Sequence, residues 1–454
     1  MRKSTKRLLI GIPLATFLLC GGGLLGFAHK SRTDRDRAIA RLAAVGLPTD
    51  PDQIKHIPDP AKDAGELLEK FDRAFLKARK VPAYFSFYIP NLKSARAFVN
   101  ANPQLVQLRK QLFTKSEFAT QLEPSMGHQH ESDGFAPLAI VVWLGLAEAQ
   151  VLSADGAAEM AIDLCTETTQ FVHLLNSDPN HTAELLSVSL QQAVNRHVAD
   201  IVESNSERAE VRRALQRYLY ASVPKVDFRR AVIEDLSNAL ALEKDVTQGK
   251  VDLVAYDESI NGGYASISEV GKHSLYRVKG APDMLFARLY EGFADLYARI
   301  PKDPSQHKER IDVVTRWDMV VSDQRSPNSY LLQSLMPQYS YGFKSEAKLT
   351  AEWRTLNALL AASEIKAKTG CYPTNLPVTG QDASDPFTDQ PLKYLVKDGK
   401  LTIYSVGDDL ADNEGKLFKM SYLAIPGSSA PPNDIGFSIP NDVQNQELIA
   451  KRRN

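Results

Sequence analysis

The feature that most restricts the fold is a long helical pattern that stops at a glycine and is closely followed by a hairpin signal. Apolar residues recur every three or four positions in the helical pattern: Leu349, Trp353, Leu356 and Leu360. Gly370 is typical of a helix C-terminus. Apolar residues then alternate over 392–396 and 401–405, on either side of Asp398-Gly399. This pattern predicts two short antiparallel strands that pack on the helix.

Most of the chain before this unit has the periodicity of amphipathic helices. A short helix that stops at Gly46 is predicted after residue 36, and a buried helical hairpin, broken near Ser153–Gly156, over 135–175. Single helices are predicted at 61–80, 91–111, 183–203, 206–221, 227–246 and 282–300. Because no fixed repeat period is present, these helices predict an irregular packed array.

The N-terminus carries a segment that can cross a membrane. Leu8 to Ala28 is uncharged, and four basic residues precede it: Arg2, Lys3, Lys6 and Arg7. At 1.5 Å per residue a helix of this length spans a hydrocarbon core of roughly 30 Å. We predict an inner-membrane anchor that crosses the membrane once, with its basic end in the cytoplasm and the bulk of the chain outside. Small residues at Gly26 and Ala28 leave a cleaved signal peptide as the alternative.

The sequence as a whole is predicted to be mainly α, with an N-terminal anchor, an irregular helical array and a small C-terminal α+β module with a short antiparallel hairpin. The predicted divisions are an anchor or signal peptide (1–30), a linker with a short helix (31–60), a helical domain (61–340), the α+β module (341–440) and a flexible tail (441–454).

Charge and cysteine content exclude some classes of protein. A net charge of −1 gives no electrostatic reason to expect a nucleic-acid partner. Outside the predicted anchor only Cys165 and Cys371 remain, which is too few for a disulfide framework. Cys165 lies on an apolar helical pattern, so we expect a buried free thiol, with a single Cys165–Cys371 bridge as the alternative.

The segment MGHQHESDG is the first candidate metal site. Its possible ligands are His128, His130, Glu131 and Asp133. No second cluster supplies further ligands at a known zinc spacing, so a solvated loop is the favoured interpretation. The other histidines considered, His173, His181 and His197, lie on helical patterns and are interpreted as structural.

Two short motifs of serine acyl-transferases also occur, S-x-x-K at Ser345–Lys348 and K-T-G at Lys368–Gly370. Both fall on one predicted helix, ~30 Å apart along its axis, so they cannot serve one active site. The nucleophile-elbow, P-loop and dinucleotide motifs are absent from the sequence.

Two further segments were considered as binding surfaces. Tyr256–His273 is a glycine- and serine-rich interruption that is either a mobile binding loop or a passive connection, and we favour the connection. The strip Ser206–Arg230 is rich in arginine, but acidic residues are interleaved with the basic ones. A solvated, salt-bridged face is therefore expected there.

Four short motifs near the end of the chain resemble the C-terminal head of the type II secretion major pseudopilins. They are Tyr372-Pro373-Thr374, Asp385-Pro386-Phe387, Tyr404-Ser405-x-Gly407-x-Asp409 and Asp434-Ile435. The whole layout is also similar to uncharacterised bacterial membrane-anchored proteins that carry this module. The resemblance implies a helix followed by a compact strand-and-loop unit at 341–440.

The resemblance also implies a calcium site and sets a limit on function. In pseudopilins the acidic loop after the strand pair binds calcium, and the matching carboxylates here are Asp409, Asp412 and Asp434. Oxygen-rich side chains on a loop suit a hard cation. The N-terminus lacks the prepilin cleavage pattern and the early glutamate of true pseudopilins, so assembly into a pseudopilus is not expected.

The sequence thus favours a non-enzymatic, membrane-anchored envelope protein with a structural or protein-binding role, other envelope proteins as partners, and calcium as the one expected cofactor. The alternative is an extracytoplasmic ligand-binding protein or metal-dependent enzyme with a cleft in the helical domain.

Overall fold

The fold is described by a computed structural model that covers residues 26–53, 59, 62–82, 91–118, 131–177, 181–253, 280–322, 338–417 and 434–439. Twelve α-helices lie in these ranges: α1 (26–44), α2 (Gly65–Phe75), α3 (Leu92–Ala101), α4 (Pro103–Leu112), α5 (Glu131–Ala154), α6 (Ala158–Val172), α7 (His181–Asn205), α8 (Ala209–Ala221), α9 (Phe228–Thr247), α10 (Ala281–Arg299), α11 (His307–Ser322) and α12 (Tyr339–Thr369). The strands are β1 (Lys393–Lys397), β2 (Lys400–Ser405) and β3 (Ile435–Ile439). The prediction of a mainly helical chain with a small antiparallel β element is confirmed.

Two helices begin at residues whose side chains cap them, and one helix ends at a glycine. The Asn91 side chain accepts a hydrogen bond from the Ser94 amide at 3.0 Å, which starts α3. Asp227 likewise accepts from the Arg229 amide at 3.1 Å and starts α9. Such caps satisfy amides that have no partner within the helix. Gly370 ends α12 in the left-handed conformation, at φ 85°, as predicted.

The single helix predicted over 91–111 is wrong, because Pro103 divides it into α3 and α4. A proline disfavours helical backbone in the residue before it, and Asn102 has φ −131° and ψ 56°. The Asn102 side-chain amide, Nδ2, then donates to the carbonyls of Arg79 at 2.7 Å and Phe98 at 2.8 Å. The break is therefore a fixed junction that ties α3 to the segment after α2.

The three strands form one antiparallel sheet in the order β1-β2-β3. Asp398 and Gly399 have φ 53° and 75°, the pair of positive angles that a type I′ hairpin turn requires. The predicted hairpin is therefore confirmed. The third strand, in which Gly436 pairs with Tyr404, was not predicted. A Cβ at Gly436 would overlap the Ile403 carbonyl oxygen and lie 2.7 Å from the Tyr404 Cα, so glycine lets the two strands approach closely.

The larger hydrophobic core combines α2 to α8, the second half of α12 and the inner face of the sheet. Its centre is α5, whose Val141, Trp143 and Leu144 are almost fully buried and which packs against α3, α6 and α7. The predicted buried hairpin of α5 and α6 is confirmed. Within the described ranges, one helical stretch, Ala136–Ala154, is long and apolar enough to span a bilayer when length and composition alone are considered.

A second core gathers α1, α9, α10, α11 and the first half of α12, together with Val188 of α7. Residues 31–53, which the sequence assigned to a linker, contribute the buried side chains Ala38, Leu42 and Leu47 to it. Arg35 of α1 forms an ion pair with Glu243 of α9, and the Tyr290 hydroxyl of α10 donates to the same carboxylate at 2.7 Å. Helix α1 is therefore packed into the folded helical array.

Helix α12 belongs to both cores. Tyr339, Phe343 and Leu349, in its first half, pack into the second core. Leu356 and Leu359, in its second half, pack into the larger core together with the sheet. The predicted boundary between a helical domain and an α+β module at residue 341 therefore falls at the start of a helix whose two halves are shared between the cores.

Buried ionic groups fix the first half of α12. Arg310 of α11 is fully buried, pairs with Glu346 of α12 at 2.7 Å and also pairs with Asp227. The second carboxylate oxygen of Glu346 accepts from the Phe228 amide at 3.2 Å. A buried charge is tolerated when it is paired, and the two ion pairs of Arg310 provide that pairing across α9, α11 and α12.

A second polar cluster lies between α7, α8 and α12. The Tyr218 hydroxyl donates to Asn195 at 2.6 Å, and Gln191 donates to both of these residues. Arg196 pairs with Glu352 of α12 at 3.0 Å. These groups lie inside the fold and hydrogen-bond to one another, as structural networks do.

Candidate functional site

The candidate site predicted from the sequence is the acidic loop after β2, together with the motifs that surround it. Asp385 lies before β1 and is almost completely buried. Its carboxylate accepts hydrogen bonds from the Phe387 amide, the Ser405 hydroxyl and the Val406 amide, each at 2.9 Å. The motif that contains Asp385 is thereby joined to the motif that contains Ser405. Buried carboxylates that accept several N–H and O–H groups commonly organise loops in this way.

Two tyrosines join other parts of the unit. The Tyr394 hydroxyl donates to the Pro373 carbonyl at 2.8 Å, which ties β1 to the segment after α12. The Tyr404 hydroxyl donates to Asp412 at 3.0 Å, which ties β2 to the acidic loop. Burial, and then the hydrogen bond from the hydroxyl to Asp412, raise the pKa of Tyr404. Both tyrosines therefore act as neutral donors that position the loop.

Asp409 and Asp412 each accept hydrogen bonds from the loop that carries them. Asp409 accepts from the Ala411 amide at 3.1 Å, and Asp412 accepts from the Glu414 amide at 3.0 Å. Asp412 also forms an ion pair with Lys393 of β1 at 3.1 Å. The hydrogen bond from the Glu414 amide is the main reason that the pKa of Asp412 is lowered.

Asp434 closes the loop from the other side. It is fully buried, and it accepts from the Asn413 amide at 3.1 Å and the Gly415 amide at 2.8 Å. Burial raises the pKa of Asp434, and the charges of Asp412 and Asp409 raise it further against the effect of the two amides. The three carboxylates are thus close enough to interact electrostatically.

The positions of the three carboxylates do not fit a bound calcium ion. Among the described residues, no group of three or more His, Cys, Asp or Glu side chains is placed to hold a metal ion, and this includes Asp409, Asp412 and Asp434. Calcium requires six to eight oxygen ligands around one point. These carboxylates instead accept hydrogen bonds that close the loop. The calcium site stays a prediction of the sequence resemblance.

The other metal candidate, His128 and His130, lies outside the described residues, as do the side chains of Glu131 and Asp133. The Tyr256–His273 segment also lies outside them. Both acyl-transferase motifs fall on or at the end of α12, as the sequence predicted. Cys165 is buried and Cys371 is exposed, and both are free thiols. The expectation of a buried free thiol at Cys165 is confirmed.

The arginine-rich strip is salt-bridged in the structure. Arg217 of α8 pairs with Asp163 at 2.8 Å and with Glu159 at 3.2 Å, both on α6. Arg208 pairs with Glu210 at 2.7 Å. The Arg217 pairs link α8 to α6 and the Arg208 pair is local to the start of α8, as expected for a salt-bridged helical face.

His173, interpreted from the sequence as structural, lies in a 3₁₀ turn after α6. Burial, with a smaller contribution from the positive charge of Lys225, lowers its pKa from the ordinary 6.5 to about 4. The folded state therefore binds a proton at His173 less readily than the unfolded state does. Stability is unaffected above the ordinary pKa and is lost as the pH falls below it.

We expect His173→Gln to reduce this loss. Between about pH 7 and about pH 5 the melting temperature of the variant should fall less than that of the unchanged protein, because no imidazole has to be protonated on unfolding. Thermal melts across this range measure the difference. His29→Gln, at an exposed position of α1, is the control and should not change the pH dependence. Parallel curves for the unchanged protein and His173→Gln would contradict the assignment.

Comparisons with protein-family models, with curated proteins and with solved structures find no match to this chain. The similarity to the pseudopilin head therefore stays a prediction from the motifs.

Proposed function

We propose that this protein is a non-enzymatic, membrane-anchored envelope protein that holds a rigid helical body next to the membrane, where it contacts other envelope proteins. One observation carries the proposal: from residue 26, the first that the structure describes, α1 runs without interruption from the apolar segment predicted to cross the membrane into the second core. Gly26 and Ala28 belong both to that segment and to α1.

The contacts of α1 support a rigid connection. At Ala28 it lies against the start of α10, where a Cβ at Gly280 would be only 2.6 Å from the Ala28 Cα. Further along α1, Arg41 pairs with Asp295 of α10 at 3.0 Å. If residues 8–28 span the membrane, the body is joined to them by a packed helix and is held at the membrane surface.

The proposal of a non-catalytic role is supported by the positions of groups with shifted pKa. Burial raises the pKa of the Cys165 thiol and of the Tyr218 and Tyr339 hydroxyls. These groups lie between packed helices, and Tyr339 donates to Asp235 at 2.8 Å. Burial between packed helices accounts for these three shifts, so they require no catalytic role.

Membrane attachment is tested with the full chain. We expect it to sediment with membranes, to resist extraction at high pH and to dissolve in detergent. Replacing Leu18 and Leu19 by lysine should release it, because each charge at the centre of a membrane helix costs about 2.5–3.5 kcal/mol. A phosphatase reporter fused to the C-terminus should be active only if the body lies outside the cytoplasm.

Mass spectrometry of the purified chain tests the alternative, which is a cleaved signal peptide. A mature protein that begins near Gly26 or Ala28 would show a cleaved signal peptide and would contradict the anchor. Leu47→Lys places the same charge in the second core rather than in the apolar segment. We expect Leu47→Lys to have a lower melting temperature than the unchanged protein but to remain in the membrane fraction.

The calcium prediction has its own test. If the acidic loop binds calcium, millimolar Ca²⁺ should raise the melting temperature of the full chain, a chelator should reverse the rise, and Mg²⁺ should not replace it. Asp434→Asn should abolish the shift. Asp409→Asn, at an exposed position, should weaken it without disturbing the buried contacts of the loop. An identical melt with calcium and with chelator would contradict the prediction.

A further inference from the structure

A small polar cleft lies where α11, α12 and the segment before β1 meet. It has a volume of about 250 Å³, less than the roughly 300–1,000 Å³ of pockets for drug-sized ligands. The described residues that line it are all polar or charged: Ser305, Gln306, Glu309, Arg354, Gln381, Ser384 and Asp389. Across the cleft, the Gln381 side-chain amide donates to the Ser305 hydroxyl at 3.2 Å. A cleft with this lining suits a small, charged or strongly polar ligand.

Arg354 of α12 is the buried member of the lining, with an exposed fraction of 6%. Its Nη1 atom donates to the Ser384 carbonyl at 2.8 Å. Among the described residues, no carboxylate forms an ion pair with Arg354, and its Nε and Nη2 atoms donate no hydrogen bond. Buried guanidinium groups are normally paired, because leaving such a charge without a partner is costly. An edge of Arg354 with two N–H donors thus lacks a partner from the protein.

The nearby carboxylates do not fill this role. Burial lowers the pKa of Arg354, and the charges of Asp382, Asp385 and Asp389 partly oppose this effect. Asp385 accepts three hydrogen bonds within its own unit, as described above, and Asp382 accepts one from the Asn357 amide at 2.9 Å. Glu309 and Asp389 are exposed and lie at the rim of the cleft. The arrangement therefore has one cationic group on its floor and two anionic groups at its edge.

This charge pattern selects the class of ligand. A guanidinium edge matches the two oxygens of a carboxylate, and a pair of carboxylates attracts an ammonium group. Simple anions are disfavoured by the two acidic residues, and simple cations by the buried arginine. We propose that the cleft binds a free α-amino acid with a small or polar side chain, whose carboxylate contacts Arg354 and whose ammonium group lies near Glu309 and Asp389.

This inference goes beyond the proposed function and does not depend on the membrane anchor. Isothermal titration of the detergent-solubilised full chain with glycine, serine and glutamine tests it. We expect saturable binding of at least one of the three. Glycinamide lacks the carboxylate and acetate lacks the ammonium group, so each loses one charged contact and should bind at least about tenfold more weakly. Glucose, a neutral polar compound, should not bind.

Two variants separate the contributions. Arg354→Lys keeps the charge but removes the two-pronged geometry, and should weaken amino-acid binding by at least about tenfold. Glu309→Gln changes an exposed rim residue, and should weaken binding while leaving the melting temperature unchanged. Glu66→Gln, at an exposed position of α2 that pairs with Lys70 at 2.7 Å, is the matched control and should bind as the unchanged protein does.

The proposal is overturned if none of the three amino acids binds at millimolar concentration. It is also overturned if glycinamide, acetate or glucose binds as tightly as the amino acid. The proposal is also overturned if Glu309→Gln and a folded Arg354→Lys both bind the amino acid as tightly as the unchanged protein does. If Arg354→Lys does not fold, the titration of Glu309→Gln decides between support and rejection.

Discussion

Arg310→Ala should lower the free energy of unfolding by about 3–5 kcal/mol, because it leaves a buried carboxylate without its partner. Arg310 is fully buried and pairs with Glu346 at 2.7 Å, while its guanidinium lies 4.9 Å from the centre of the Phe343 ring. The carboxylate of Glu346 is itself almost completely buried. Urea denaturation followed by far-UV circular dichroism measures the change.

A matched control is available on the surface. Arg217 also pairs with two carboxylates, but its side chain is 48% exposed. Arg217→Ala should therefore cost no more than about 1 kcal/mol. The double variant Arg310→Met with Glu346→Gln should be less destabilised than the two single changes together, since neither uncompensated charge then remains. Equal losses for Arg310→Ala and Arg217→Ala would show that the buried cluster does not stabilise the fold.

Gly436→Ala should cost about 3 kcal/mol or more, because overpacking against a neighbouring strand displaces backbone rather than a flexible side chain. The added methyl group would overlap the Ile403 carbonyl and lie 2.7 Å from the Tyr404 Cα. We expect β3 to separate from β2 and hydrogen exchange to speed up at residues 401–405. Mass spectrometry of exchanged peptides, together with urea denaturation, measures both effects.

Ser438→Ala is the control in the same strand. Ser438 pairs with Thr402 in the sheet and is partly exposed, so its replacement should change stability by no more than about 0.5 kcal/mol. If Gly436→Ala and Ser438→Ala behaved alike, the close approach of β2 and β3 at Gly436 would not be a requirement of the fold.

The elements that could be predicted from the sequence are those determined by local chemistry. Asn91 and Asp227 cap helices because their short side chains reach amides two or three residues away. Asp398 and Gly399 form a hairpin turn because both adopt positive φ. The apolar run at the centre of α5 predicted its burial in the core.

What could not be predicted depends on contacts between distant parts of the chain. β3 is a short segment around Gly436, and only its partner β2 gives it the length and register of a strand. No helix was predicted at α11, which is held in place by Val314 in the second core and by the pairing of Arg310 with Glu346 and Asp227, all contacts with distant parts of the chain. Arg354 is one of many charged residues on helical patterns. Its position in the cleft follows from the meeting of residues 305–309, α12 and 381–389.

The sharing of α12 between the two cores has a consequence for how this chain could have been assembled. An insertable module carries its own core and can be moved between proteins at its boundaries. A cut at residue 341 would remove Phe343 and Leu349 from the core that contains α1 and α10. The same cut would leave Arg310 without Glu346. The C-terminal unit is therefore not separable at that boundary, and recombination that exchanged it alone would yield two fragments that each lack part of their interior.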